Sequence, residues 1–239
     1  MSLFNMFKKN STETKSKGKV SSLQYIRREK NNLFIKKQGI ACYENLPLIE
    51  SSDEVKLKSL DMICKRAFTC FIAIQVACDI NNNNYEESIK YFFSILYDFN
   101  LLGFLNSKEE RIIKGAYTTQ DAIDVEWEYE DLWSLFFALG LVDDISDGGK
   151  LCDCNFIVET IASCKNVNEF KKKCKLRDIE EILDMLDLYY RYDWACTEKR
   201  INQETNIGNL NPSNVIERRR ALEWLISKKK DWYDISLDT

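Results

Sequence analysis

The chain has 239 residues, 45% of them apolar and 12% aromatic, enough to bury a sizeable core. A formal charge of −4 argues against a dedicated nucleic-acid binder, whose footprint is usually a basic face. The absence of histidine excludes Ser-His-Asp and Cys-His mechanisms and every histidine-ligated metal.

Residues 1–20 are polar and locally basic, with Lys8, Lys9, Lys15, Lys17 and Lys19 against Glu13, and read as a flexible tail. The competing reading is a short membrane-surface anchor through Leu3, Phe4, Met6 and Phe7. "MSLFNMFKKN" has no apolar core of signal length, and the longest apolar run, Ala67–Cys78, is too short to cross a bilayer. The expected protein is cytoplasmic, without membrane insertion.

From residue 21 to 239 helical periodicity dominates, and only two prolines and eight glycines interrupt it. Residues 22–37 form a predicted helix stopped by Gly39, and Pro47 marks an extended crossing. Ser59–Asp79 reads as a buried helix, and Tyr85–Phe99 as an amphipathic one after the polar Asn81–Asn84. Ser107 is the predicted N-cap of a helix ending at Gly115. Glu126–Leu139 presents a broad apolar face and stops at Gly140. Short helices follow at Asp153–Ser163 and Asn168–Lys173. Asp178 to about Glu198 opens with a capping box, Asp178-x-x-Glu181, and the last helix runs from Pro212 to about Lys228. Period-two alternation is scarce. The expectation is a mainly α, single-domain bundle of about eight helices behind the tail.

"KLKSLDMI" (Lys56–Ile63) and "KLRDIEEI" (Lys175–Ile182) echo one another. Shared helix-start chemistry accounts for this most simply, and duplicated halves are the alternative. The nine cysteines include no C-x-x-C pair and read as small buried hydrophobes of a reducing compartment. Cys152-x-Cys154 is half a metal site with no second half.

"RDIEEILDMLDLYYRYDWACTEKR" mixes helix formers, charges and large aromatics. On a wheel of about 100° per residue, Ile179, Ile182, Leu183, Leu186, Tyr190 and Trp194 form one stripe. Met185, Leu188, Tyr192 and Ala195 lie opposite, and Glu180, Asp184, Asp187, Arg191 and Glu198 form a charged seam between. A helix apolar on two sides is a central one. Asp193 falls within the main stripe, and Arg218 and Arg219 share the apolar face of the last helix. An unpaired interior carboxylate costs several kcal/mol, so Asp193 is expected to meet Arg218 or Arg219. Glu128 also points inward, with the remaining arginine or Arg66 as its partner. These charges make either a buried ion-pair network or a pocket for a small polar ligand.

"GIACYENLPLIES", "WEYEDLWSLFFALGLVDDI", "KLRDIEEILDMLDLYYRYDWACTEKRI", "VIERRRALEWL" and "DWYDISLDT", in that order, resemble the bacterial domain of unknown function (DUF) 4272 family from about residue 22 onward. The resemblance implies membership and carries no activity, cofactor or ligand. It also marks two departures: Glu128 stands where relatives tend to have arginine, and Arg219 where they often have histidine.

Asp184 and Asp187 share a helix face, and with Asp234 and Asp238 they make a weighed oxygen-ligand set. Arg191 offsets that pair locally, so no metal and no cofactor is expected. No phosphate-binding glycine loop or nucleophile elbow occurs. The C-terminal Trp232 and Tyr233 read as a docked tail, with recognition by a partner as the alternative. Two function classes follow: a non-catalytic domain binding a protein partner or small ligand, or a carboxylate-dependent enzyme, with or without a metal. The candidate residues are Asp184, Asp187, Arg191, Asp193, Glu128, Arg218 and Arg219.

Overall fold

The computed structural model describes residues 23–238, and the expected tail and surface anchor of residues 1–20 lie outside them. Helix α1 covers residues 23–37 of the described chain. It is followed by α2 (Leu60–Asn81), α3 (Tyr85–Asp98), α4 (Ser107–Lys114), α5 (Thr119–Ala138), α6 (Cys154–Ala162), α7 (Val167–Lys173), α8 (Ile179–Ile201) and α9 (Pro212–Ile226). Short 3-10 turns occur at Leu102–Phe104 and Trp232–Asp234, and no strand occurs among the described residues. The protein is mainly α, and no described helix is long and apolar enough to cross a membrane.

The helix starts follow local chemistry. Ser59 caps α2 by accepting from the Met62 N–H, and Asp178 caps α8 by accepting from that of Glu180. The echoed segments thus share a cap position. Three starts differ from the sequence expectation. Asn106 caps α4 in place of Ser107, because its side chain reaches two backbone N–H groups and Glu109 returns a bond to Asn106 N. Helix α5 begins seven residues before Glu126, where Thr118 and Asp121 form a capping box that outweighs the weak apolar pattern of its first turns. The box expected at Asp178 is incomplete, since Glu181 turns to Arg177 instead (2.9 Å).

Helix α2 lies at the centre of one half, against α3, α4, α5 and α7. Its residues Ile63 to Ala77 are mostly buried, so transfer of apolar surface from water holds it with little help from polar pairing. Helix α5 joins that half to the other by packing on α9, and α9 packs on α8. The seam therefore runs α2–α5–α9–α8. Arg27, Asn31 and Asn32 of α1 meet α8 and the 44–50 crossing.

The stop after α5 needs glycine: Gly140 has φ +68°, and a Cβ there would lie 2.6 Å from the Lys175 carbonyl oxygen. Gly149 meets a similar constraint. A Cβ there would stand 2.1 Å from the Asn209 carbonyl, so its bareness lets the 141–153 loop lie against the approach to α9. The C-terminal segment docks: Trp232 is buried against Trp224, with the Arg66 guanidinium 3.9 Å from its ring.

Candidate functional site

Helix α5 supplies six carboxylates and no basic residue, whereas α9 carries Arg218, Arg219 and Arg220 in succession. Where the two helices and their neighbours pack, acids and arginines meet out of water.

Arg218 is the best-satisfied of these. Its Nε donates to Glu130 Oε2 (2.7 Å), and Nη1 donates to the Asp147 carbonyl and the Tyr189 hydroxyl (both 2.9 Å). Nη2 donates to the Lys150 carbonyl (2.6 Å). Tyr189 passes its own proton to the Ile145 carbonyl (2.6 Å), and Glu130 Oε1 accepts the Cys152 N–H (2.8 Å). A single guanidinium thus ties the 141–153 loop to three helices. Asp193 pairs with Arg219, so of the two partners expected from sequence the structure takes Arg219. Arg219 also donates to the carbonyls of Leu237 (3.1 Å) and Asp238 (3.2 Å), fastening the C-terminal segment.

Glu128 is fully buried in a different cluster. It accepts from Asn106 Nδ2 (2.7 Å) and the Tyr233 hydroxyl (3.0 Å), and lies 3.7 Å from Arg66. Arg66 itself bonds Glu109 (2.5 Å). Burial pushes the Glu128 carboxyl well above its ordinary range, and the Glu109 charge adds to this against Arg66 and Asn106. One turn along, Asp131 is also fully buried and meets no hydrogen-bond donor. Burial and then the neighbouring Glu217 carboxyl push its carboxyl well above the ordinary range, against Arg220 at 3.9 Å.

The charged seam of α8 is covered by α1. Asp187 and Arg191 form a bidentate pair (2.8 Å for both bonds), with Asn31 donating to Asp187 and Arg191 donating to Asn32. Asp184 is half-buried and takes Arg27 (3.1 Å) and Lys30 (2.6 Å). The weighed oxygen-ligand set does not assemble. Asp184 is spent on Arg27 and Lys30 of α1 and Asp187 on Arg191 of its own helix, whereas the Asp238 side chain turns to Ser236. The group whose ligand atoms do lie within 4.8 Å of one another is Cys70, Glu109 and Glu128, all buried. Arg66 supplies the positive charge there.

A groove of about 660 Å³ lies between α1, α8 and the loop after α5. Leu33, Phe34, Phe137, Met185 and Leu188 give it apolar walls, and Lys30, Lys37, Arg177, Glu181 and Asp184 a charged rim. Of the residues singled out from sequence only Asp184 lines it. Arg219 instead borders a second cleft of about 500 Å³, beside Tyr190 and Glu223, where burial pushes the Glu223 carboxyl up to about 6. Single-helix periodicity missed Glu130, Asp131 and Arg177. An acid-only helix faced with an arginine triplet was the available signal.

These features define an all-α domain whose polar interior is mostly ion-paired. The family model described as "Domain of unknown function (DUF4272)" matches residues 27–235, and the chain belongs to that family. Comparison with curated proteins and with solved structures gives no significant match.

Proposed function

We propose that this chain is a single-domain, cytoplasmic, non-catalytic protein that holds an amphipathic small molecule in the groove between α1 and α8. The carrying observation is that groove: about 660 Å³, with Phe34, Phe137, Met185 and Leu188 inside and ionic groups at its mouth. Such dimensions and lining suit an organic ligand with an apolar body and one polar end. Rim charges are largely spent on each other, Arg177 on Glu181 and Lys30 on Asp184, so the apolar wall contributes most of the affinity. The carboxylate-enzyme alternative has less support, because Glu128 and Asp131 have no exposure to a substrate and Asp187 and Asp193 are paired with arginines.

Titration with 8-anilinonaphthalene-1-sulfonate, an amphipathic fluorescent anion, tests the proposal. Saturable one-site binding is expected, weakened about tenfold by Phe34→Asp and unchanged by Tyr97→Asp on the remote surface of α3. Equal weakening by both substitutions, or by neither, would reject the groove as the site. A second reading is docking of a protein partner on α3, favoured by Tyr91 and Tyr97, which are 64% and 69% exposed. Loss of a co-purifying partner on Tyr97→Asp, with dye binding intact, would support that reading instead.

A further inference from the structure

The 141–153 loop ends in two thiols with nothing to do in the network above. Cys152 and Cys154 place their sulfurs 3.6 Å apart, in van der Waals contact and not bonded. They are unequal. Cys154 is exposed and is the first residue of α6, a nine-residue helix capped by Asp153. Cys152 is half-buried, and its backbone N–H is held by Glu130, which Arg218 fixes in turn. A cleft of about 340 Å³ is lined by residues 150–155, both cysteines among them. Burial and anchoring on one side, with exposure at a helix N-terminus on the other, give a nucleophilic thiol beside a resolving one.

We infer that Cys152 and Cys154 form a redox-sensitive dithiol that one equivalent of a peroxide oxidises to a disulfide. The Cys154 thiolate attacks one peroxide oxygen, the O–O bond breaks, and hydroxide leaves with a sulfenic acid on Cys154. The Cys152 sulfur then attacks that sulfenic sulfur, the S–O bond breaks and the S–S bond forms. The Cys152 proton goes to that departing hydroxide as water, and the proton lost when Cys154 ionised goes to the hydroxide released from the peroxide. With hydrogen peroxide the sum is two thiols oxidised, one peroxide reduced and two waters formed. Electrostatics agree with this division. The Cys152 thiol hydrogen-bonds its neighbour and so lowers the Cys154 thiol below its ordinary range, opposing burial, while the Cys152 thiol itself rises. The loop is already pinned at Asp147, Lys150 and Cys152, so the sulfurs meet without a search of loop conformations.

Native full-length protein is treated with stoichiometric hydrogen peroxide, alkylated, digested and mapped by mass spectrometry. The expected product is a Cys152–Cys154 disulfide, seen as a loss of about 2 Da and reversed by dithiothreitol. Cys154→Ser should abolish that product. Cys152→Ser should leave a sulfenic acid on Cys154, trapped by dimedone. Cys154 should also be alkylated about tenfold faster than Cys152 under native conditions. A circular-dichroism melt of each variant shows that it is folded. The inference fails if the first disulfide joins Cys64 to Cys174 or involves Cys164. It fails equally if the folded protein gains no disulfide, or if Cys154 reacts no faster than the other thiols.

Discussion

Two ends of the α5–α9 interface handle buried charge in opposite ways. At one end Arg218 spends its fork on Glu130, Tyr189 and the carbonyls of Asp147 and Lys150, and Glu130 uses its second oxygen on Cys152 N–H. At the other end Asp131, one residue further along α5, meets no donor, and burial and the Glu217 carboxyl push its own carboxyl well above the ordinary range. The difference lies in reach. Three loop carbonyls face Arg218, whereas Arg220 is drawn to Glu217 and to the Tyr233 ring, 4.7 Å away, and leaves Asp131 at 3.9 Å. A satisfied buried pair resists pH and fails hard when cut. An unsatisfied acid titrates.

Cutting the satisfied end carries the largest expected effect. Arg218→Met strands Glu130 in the interior and releases the loop carbonyls, so a loss of about 4 kcal/mol is expected in denaturant unfolding. A loss below about 1 kcal/mol would mean that neither the pair nor the loop contacts of Arg218 carry much stability. Asp193→Ala comes next, at about 3 kcal/mol, because it leaves the Arg219 guanidinium buried without its carboxylate. The double variant Asp193→Ala with Arg219→Met should recover part of that loss, though Arg219 also fastens Leu237 and Asp238. A double variant no better than the single one would assign the cost to the tail contacts.

The unsatisfied end is tested by pH. Asp131 and Glu128 both hold protons more tightly folded than unfolded. Their contribution is therefore fully present below the ordinary carboxylate range and is lost as pH rises toward their raised folded values. Stability should fall with rising pH across that window, and Asp131→Asn, neutral at every pH, should flatten the fall. A fall of unchanged slope in Asp131→Asn would place the titration on Glu128 or Glu223.

Much of this was legible beforehand, and the failures have a common cause. The wheel placed Asp193 inside and named Arg219 as one of two partners, because a carboxylate within an apolar stripe has few ways to be satisfied. It also pointed Glu128 inward with the remaining arginine or Arg66 as its partner, and Arg66 lies 3.7 Å away. Choosing between Arg218 and Arg219 required knowing which faces Glu130, a property of two helices together. What covers the α8 seam was hidden for the same reason, since the lid that buries Asp187 and Arg191 is α1, more than 150 residues away in sequence. Helix starts shifted where short polar caps outranked apolar pattern, at Asn106 and Thr118. The groove left little trace, because its apolar wall is shared among α1, the end of α5 and α8.

The smallest expected effect concerns divalent cations. Cys70, Glu109 and Glu128 lie close enough to hold one, yet each is committed. Arg66 bonds Glu109 (2.5 Å), and Asn106 and Tyr233 bond Glu128. Burial, with the Glu128 charge next, raises the Cys70 thiol well above its ordinary value, which disfavours the thiolate that a metal needs. A cation entering would have to displace a guanidinium and two protons inside a dry core. Millimolar Mg²⁺, Mn²⁺ or Ca²⁺ should therefore leave the melting temperature of the native chain unchanged to within about 1 °C, and EDTA should do the same. Arg66→Met removes the competing charge. A cation-dependent rise in that variant alone would identify Arg66 as the group that keeps this carboxylate cluster free of metal, whereas a rise in the native chain would show that the cluster binds metal despite it.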